Sequence, residues 1–138
     1  MKIEHITISK EQISEAVYRL TANAEMERGD EAHIATEDNS AVVMGFVDDA
    51  AHLLSDAVNF YGDAIANEEN VVVTLNMPSH WGGNNNVAKD AIRVFLENYA
   101  IARWFELSGT ADRFNDAASA ALVALKKVLD KRLKPTNN

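Results

Sequence analysis

The stretch from Val87 to Leu107, VAKDAIRVFLENYAIARWFEL, decides the fold. Ala91, Val94, Phe95, Asn98, Ala102 and Phe105 recur at the spacing of one helix face. Ile92, Tyr99, Ile101, Trp104 and Leu107 widen that face well beyond a single stripe. A helix that is apolar over most of its circumference must be covered on several sides, so this one is expected at the centre of a bundle. Its charged residues (Lys89, Asp90, Arg93, Glu97, Arg103 and Glu106) exclude a membrane span, which needs about 20 nearly uncharged residues.

The neighbouring segments fit around it. Downstream, Gly109 is expected to stop the central helix and Thr110 to cap the last one, with Asp112 well placed in its first turn. That last helix is expected over 111–133, burying Phe114, Ala117, Ala118, Ala121, Leu122, Leu125, Val128 and Leu129. Lys126, Lys127, Lys131 and Arg132 complement the negative end of its dipole. Upstream, Ser79 to Asn86 reads as a Gly/Asn loop, with Asn85 or Asn86 as the cap of the central helix. Before it, Val71, Val73, Leu75 and Met77 alternate with Val72, Thr74 and Asn76, which marks residues 70–77 as a strand ended by Pro78.

A lone strand leaves its backbone groups unpaired, and residues 2–8 (KIEHITI) supply a β-branched mate. Ser9 and Gln12 stand at capping-box spacing, so a first helix is expected from Lys10 to Glu27, burying Ile13, Ala16, Val17, Leu20 and Ala24. The triplet Arg28-Gly29-Asp30 resembles an integrin-type sequence but reads as the helix stop. A second helix is expected over 39–67. Val43, Phe46, Val47, Ala50, Leu53, Leu54, Ala57, Val58, Tyr61, Ala64 and Ile65 form its apolar stripe, with Asp48, Asp49, His52, Asp56, Asn59 and Asp63 opposite. The expected class is therefore mainly α, a four-helix bundle with a two-stranded β element at about 2–8 and 70–77. Residues 1–138 are expected to form one domain, with 134–138 expected as a frayed tail.

Composition narrows the function. The chain has no cysteine, which excludes disulfides, thiolate zinc sites and cysteine nucleophiles. Its formal net charge of −8 argues against nucleic acid as a partner, because phosphate binding needs a basic surface. The polar start, MKIEHITISKEQ, lacks the apolar run of a signal peptide, so a cytoplasmic protein with no membrane partner is expected. The charge is uneven: residues 1–69 hold 15 acidic and 4 basic side chains, residues 70–138 hold 6 and 9. Such polarity can steer head-to-tail association between copies or toward a charged partner, and it is also what solvated helix faces of different sign give.

Chemical motifs are sparse. Asp48, His52 and Asp56 are spaced i, i+4, i+8 on one helix face, the weak candidate for a divalent metal and for a metal-dependent enzyme. That face is also where a solvated surface is expected, and the Glu-x-x-His pattern of carboxylate-bridged bundle sites is absent. Ser79-His80-Trp81-Gly82-Gly83 matches neither a nucleophile elbow nor a phosphate loop. Its Trp81 reads as packing over the bundle end or as an anchor for a protein contact. No cofactor is expected, and no catalytic residue.

One segment carries a resemblance. Tyr99…Ala102-Arg103-Trp104-Phe105-Glu106-Leu107 is followed by a glycine turn. Then come Ala111, Phe114, Ala117-Ala118, Leu122, Leu125, Leu129 and Arg132-Leu133-Lys134-Pro135. Over residues 87–135 this resembles the C-terminal helix pair of small tailed-phage and prophage structural proteins of the head–tail adaptor type. The resemblance implies a helical bundle with a small β element that assembles as a ring between portal and tail. It also implies a non-enzymatic component of the virion, with itself and other structural proteins as partners. It carries over no individual residue. The interface residues expected from the sequence are Val72 and Thr74, if their strand is an exposed edge, together with Trp81, Lys131 and Arg132. The rival to this assembly reading is a small bacterial binding or regulatory module whose helical groove holds a peptide or small ligand.

Overall fold

Asn84 sets the start of the central helix. Its side-chain oxygen accepts the backbone N–H groups of Asn86 (2.7 Å) and Val87 (3.3 Å), two of the donors that a helix start leaves unpaired. The cap thus lies just upstream of the expected Asn85 or Asn86. The computed structural model describes residues 2–28, 34–106 and 111–131. In chain order these form β1 (Lys2–Ser9), α1 (Lys10–Arg28), a short 3-10 turn (Glu37–Asn39), α2 (Ser40–Ala57) and β2 (Gly62–Ala66). Then follow β3 (Asn70–Met77), α3 (Asn85–Trp104) and α4 (Ala111–Leu129). The expected helix stops at Gly29 and Gly109, and the tail from Arg132 onward, lie outside the described residues.

The central position of α3 is what its wide apolar surface demands. It packs against α1, α2, α4 and β1, and buries Ile92, Phe95, Leu96, Ala100 and Ile101. Trp104, on its less apolar side, is half-buried and packs against the core. Beyond its end, Phe105 is buried and stacks on Phe114 of α4 with ring centroids 5.8 Å apart. At α1, the Ser9 hydroxyl oxygen accepts the Gln12 N–H (3.3 Å), and Ile13, Ala16, Val17 and Ala24 are buried as their spacing requires.

The two expected strands pair antiparallel, from Lys2 opposite Met77 to Ser9 opposite Asn70. The alternation in β3 holds: Val71, Val73, Leu75 and Met77 all face the helices and are buried. Ile6 and Ile8 of β1 and Ala64 of β2 complete that face.

The second helix is a correction. It ends at Ala57, and the residues beyond it form a third strand, so the β element has three strands in the order β1-β3-β2. The Val58 carbonyl accepts the N–H groups of both Tyr61 (2.8 Å) and Gly62 (2.9 Å), which turns the chain out of the helix. β2 then runs antiparallel to β3, Gly62 opposite Leu75 and Ala66 opposite Val71. Asn67 closes the hairpin, its side-chain oxygen accepting the N–H groups of Glu69 (2.9 Å) and Asn70 (2.8 Å). The result is mainly α, but it is not a pure four-helix bundle. α1, α2 and α3 lie on one face of an antiparallel sheet, and α4 packs on α3. Among the described residues, no helix is long and apolar enough to cross a membrane.

Candidate functional site

The row Asp48, His52 and Asp56 lies on α2 where its spacing puts it, but the three do not act together. Asp48 and His52 border a cleft of about 280 Å3 between α2 and β2, lined otherwise by Ala51, Ala64, Ile65 and Ala66. Asp56 is exposed and outside the cleft lining. Asp48 is engaged by a group far from it in sequence. Lys10, at the first position of α1, is only 4% exposed. Its ammonium donates to Asp48 Oδ1 (2.6 Å) and to the Asn67 carbonyl (3.0 Å), while its backbone N–H donates to the Glu69 carbonyl (2.9 Å). One residue thus ties the β1–α1 junction to α2 and to the β2–β3 turn. Among the described residues, no three His, Asp or Glu side chains converge as a metal site would require.

The asymmetry of the Lys10–Asp48 pair gives a stability prediction. Asp48→Ala leaves a buried ammonium with only a carbonyl acceptor and should cost about 1–3 kcal/mol. This falls below the roughly 3–5 kcal/mol of a fully buried pair, because Asp48 is half-exposed. Lys10→Met keeps the stem and removes the charge, and should cost less than Asp48→Ala. Urea denaturation of the two variants gives the comparison; a larger loss from Lys10→Met would mean that packing, not charge, holds this corner.

The adjacent carboxylate, Asp49, is also paired. Arg103 of α3 donates to Asp49 Oδ2 (3.3 Å) and to the Tyr99 hydroxyl oxygen (3.0 Å), and its guanidinium lies 5.0 Å from the centre of the Phe46 ring. The hydrogen bond to the Tyr99 hydroxyl oxygen, helped by Asp49 and Glu106, holds the Arg103 pKa above its ordinary value. The acidic face of α2 therefore serves as much to dock α3 as to meet solvent.

The expected interface residues divide. Val72 and Thr74 sit on β3, which is the central strand: both of its edges are taken, by β1 and by β2, so strand addition there is blocked. What they present is the sheet face turned away from the helices, beside the 60% exposed Ile3 and Ile65. Trp81 is 5% exposed, and its indole N–H donates to the Val128 carbonyl (2.9 Å). It closes the bundle end from inside. Lys131 is exposed, its carbonyl accepting the Gly82 N–H (3.3 Å), and Arg132 lies outside the described residues.

One surface group carries no motif in the sequence. Phe60, in the turn between α2 and β2, is 82% exposed, whereas the nine other aromatic side chains are buried or half-buried. With Ala57, Tyr61, Lys126 and Asp130 it borders a groove of about 370 Å3. The only local signal was its place after Asn59 and two residues before Gly62, where a helix stripe gives way to a turn. No protein-family model, no curated protein and no solved structure matches the chain.

Proposed function

We propose that the chain is a non-enzymatic structural protein that works by self-association, of the phage or prophage head–tail adaptor type that residues 87–135 resemble. Its partners in this reading are further copies of itself and neighbouring structural proteins. The observation that carries the reading is Phe60. A phenylalanine 82% exposed costs solubility and adds little to the core of one copy beyond its edge contact with Tyr61, and aromatic side chains are the usual anchors of protein interfaces. The polarity of charge along the sequence supports it, since unlike ends favour ordered association over random aggregation.

The test is the mass in solution, by light scattering after size exclusion, at low and at high salt. A discrete oligomer whose mass falls with added salt is the expected result. A 15.2 kDa particle at the highest reachable concentration and low salt would overturn the proposal.

A further inference from the structure

The fold converts the polarity of the sequence into a polarity of shape. Phe60 stands where β2 begins and Glu68 and Glu69 stand where it ends, so the strand, about 17 Å long at its five residues, separates them. Around Phe60 the groove is flanked by the exposed Lys126, and its Asp130 is engaged by the Tyr61 hydroxyl, which donates to it. Lys131 belongs to the same end, as does Lys2, whose ammonium lies 5.7 Å from the Trp81 ring and 3.7 Å from the Glu4 carboxylate. At the far end, Glu11, Glu68 and Glu69 are exposed and border a depression of about 510 Å3 with Ser9, Met44 and Asn70. The neighbouring Lys10 is turned inward to Asp48. Met44 gives the depression an adaptable thioether, a favourable neighbour for an aromatic ring.

We infer that Phe60, flanked by Lys126, docks into the Glu11–Glu68–Glu69 depression of a second copy, a head-to-tail contact that rests on the self-association reading above. The ring meets Met44 and the lysines meet the carboxylates. The −8 charge of the chain repels other orientations, while lysine end to glutamate end remains attractive. Because the two patches differ, each copy keeps one of each available, and the contact repeats until the array closes or extends.

Charge swapping tests this on the full chain by sedimentation velocity. Lys126→Glu with Lys131→Glu reverses the first patch, and Glu68→Lys with Glu69→Lys reverses the second. Each double variant alone should lose association by ~10-fold or more in dissociation constant. An equimolar mixture should recover it, since each then offers what the other lacks. Phe60→Ser should lose association alone and when mixed with the lysine-to-glutamate variant, but its intact depression should still take Phe60 from the glutamate-to-lysine variant. All four substituted charges and Phe60 are exposed, and unchanged urea midpoints confirm intact folds. Variants that associate like the parent chain would overturn this contact while self-association stands, and so would variants that are monomeric both alone and mixed. A parent chain that never associates would overturn both readings.

Discussion

Replacing Trp81 by alanine should cost about 3–5 kcal/mol of stability, the range for a large aromatic removed from a packed site. At this chain length that is a fall in Tm of roughly 10–20 °C. The reason is where the ring sits. Its N–H is bonded to the Val128 carbonyl (2.9 Å), its backbone N–H to the Pro78 carbonyl (3.0 Å), and its face lies under the Lys2 ammonium. It therefore joins the start of β1, the β3–α3 loop and the end of α4. Trp81→Phe keeps most of the area and loses the indole bond. It should cost less than the alanine variant, the more so because the Lys131 N–H also reaches the Val128 carbonyl (3.2 Å). Thermal and urea unfolding measure both. An exposed anchor for a partner would give a change within about 0.5 kcal/mol, and that result would return Trp81 to the surface.

The same residue marks how far the sequence could be read. A tryptophan in a Gly/Asn loop is consistent with a buried plug or with a surface anchor, and only the position of α4 decides between them. The elements whose signal is local were legible. β3 shows its alternation over eight residues, α3 its wide apolar surface, and α1 its serine cap. What failed was non-local. Tyr61, Ala64 and Ile65 continue the spacing of Val43, Val47, Ala50 and Leu54 by coincidence, so a helix pattern ran on through a strand. β2 turns only the small Ala64 and Ala66 toward the core while the larger Ile65 faces out, which gives almost no hydropathy alternation to detect. Its existence depends on the open side of β3, thus on tertiary pairing.

The polar groups follow the same rule. Asp48 and Asp49 lie off the apolar stripe as their spacing predicts, and a solvated face is what such a position means in an isolated helix. Their partners, Lys10 and Arg103, are 38 and 54 residues away in sequence, and no spacing rule connects them. Lys10 in particular looks like an ordinary solvated residue of a first helical turn. Burial is tolerable because α2 and the β2–β3 turn each supply the ammonium with an acceptor, Asp48 Oδ1 and the Asn67 carbonyl.

Glycine substitutions provide the sharpest test of the part that the sequence hid. A Cβ built on Gly62 would fall 1.8 Å from the Thr74 carbonyl oxygen and 3.2 Å from Leu75 Cα, both backbone atoms of the central strand. β3 cannot retreat, because β1 holds its other edge in unbroken register. Gly62→Ala should therefore cost about 3 kcal/mol, at or above the upper end for overpacking, and Gly62→Val more. The loss should be local first: the amides of Asp63 and Ile65 should exchange faster, while those of β1 keep their protection. Gly45, in the middle of α2, has no atom within 4 Å of the same construction, so Gly45→Ala should stabilise the chain by about 0.5–1 kcal/mol through helix propensity. Urea unfolding of the two alanine variants, with hydrogen exchange of the first, measures the contrast. If residues 58–66 were a continuation of α2, as the periodicity suggests, both substitutions would stabilise the chain. Opposite signs are the signature of a helix that stops at Ala57 and a strand that begins at Gly62.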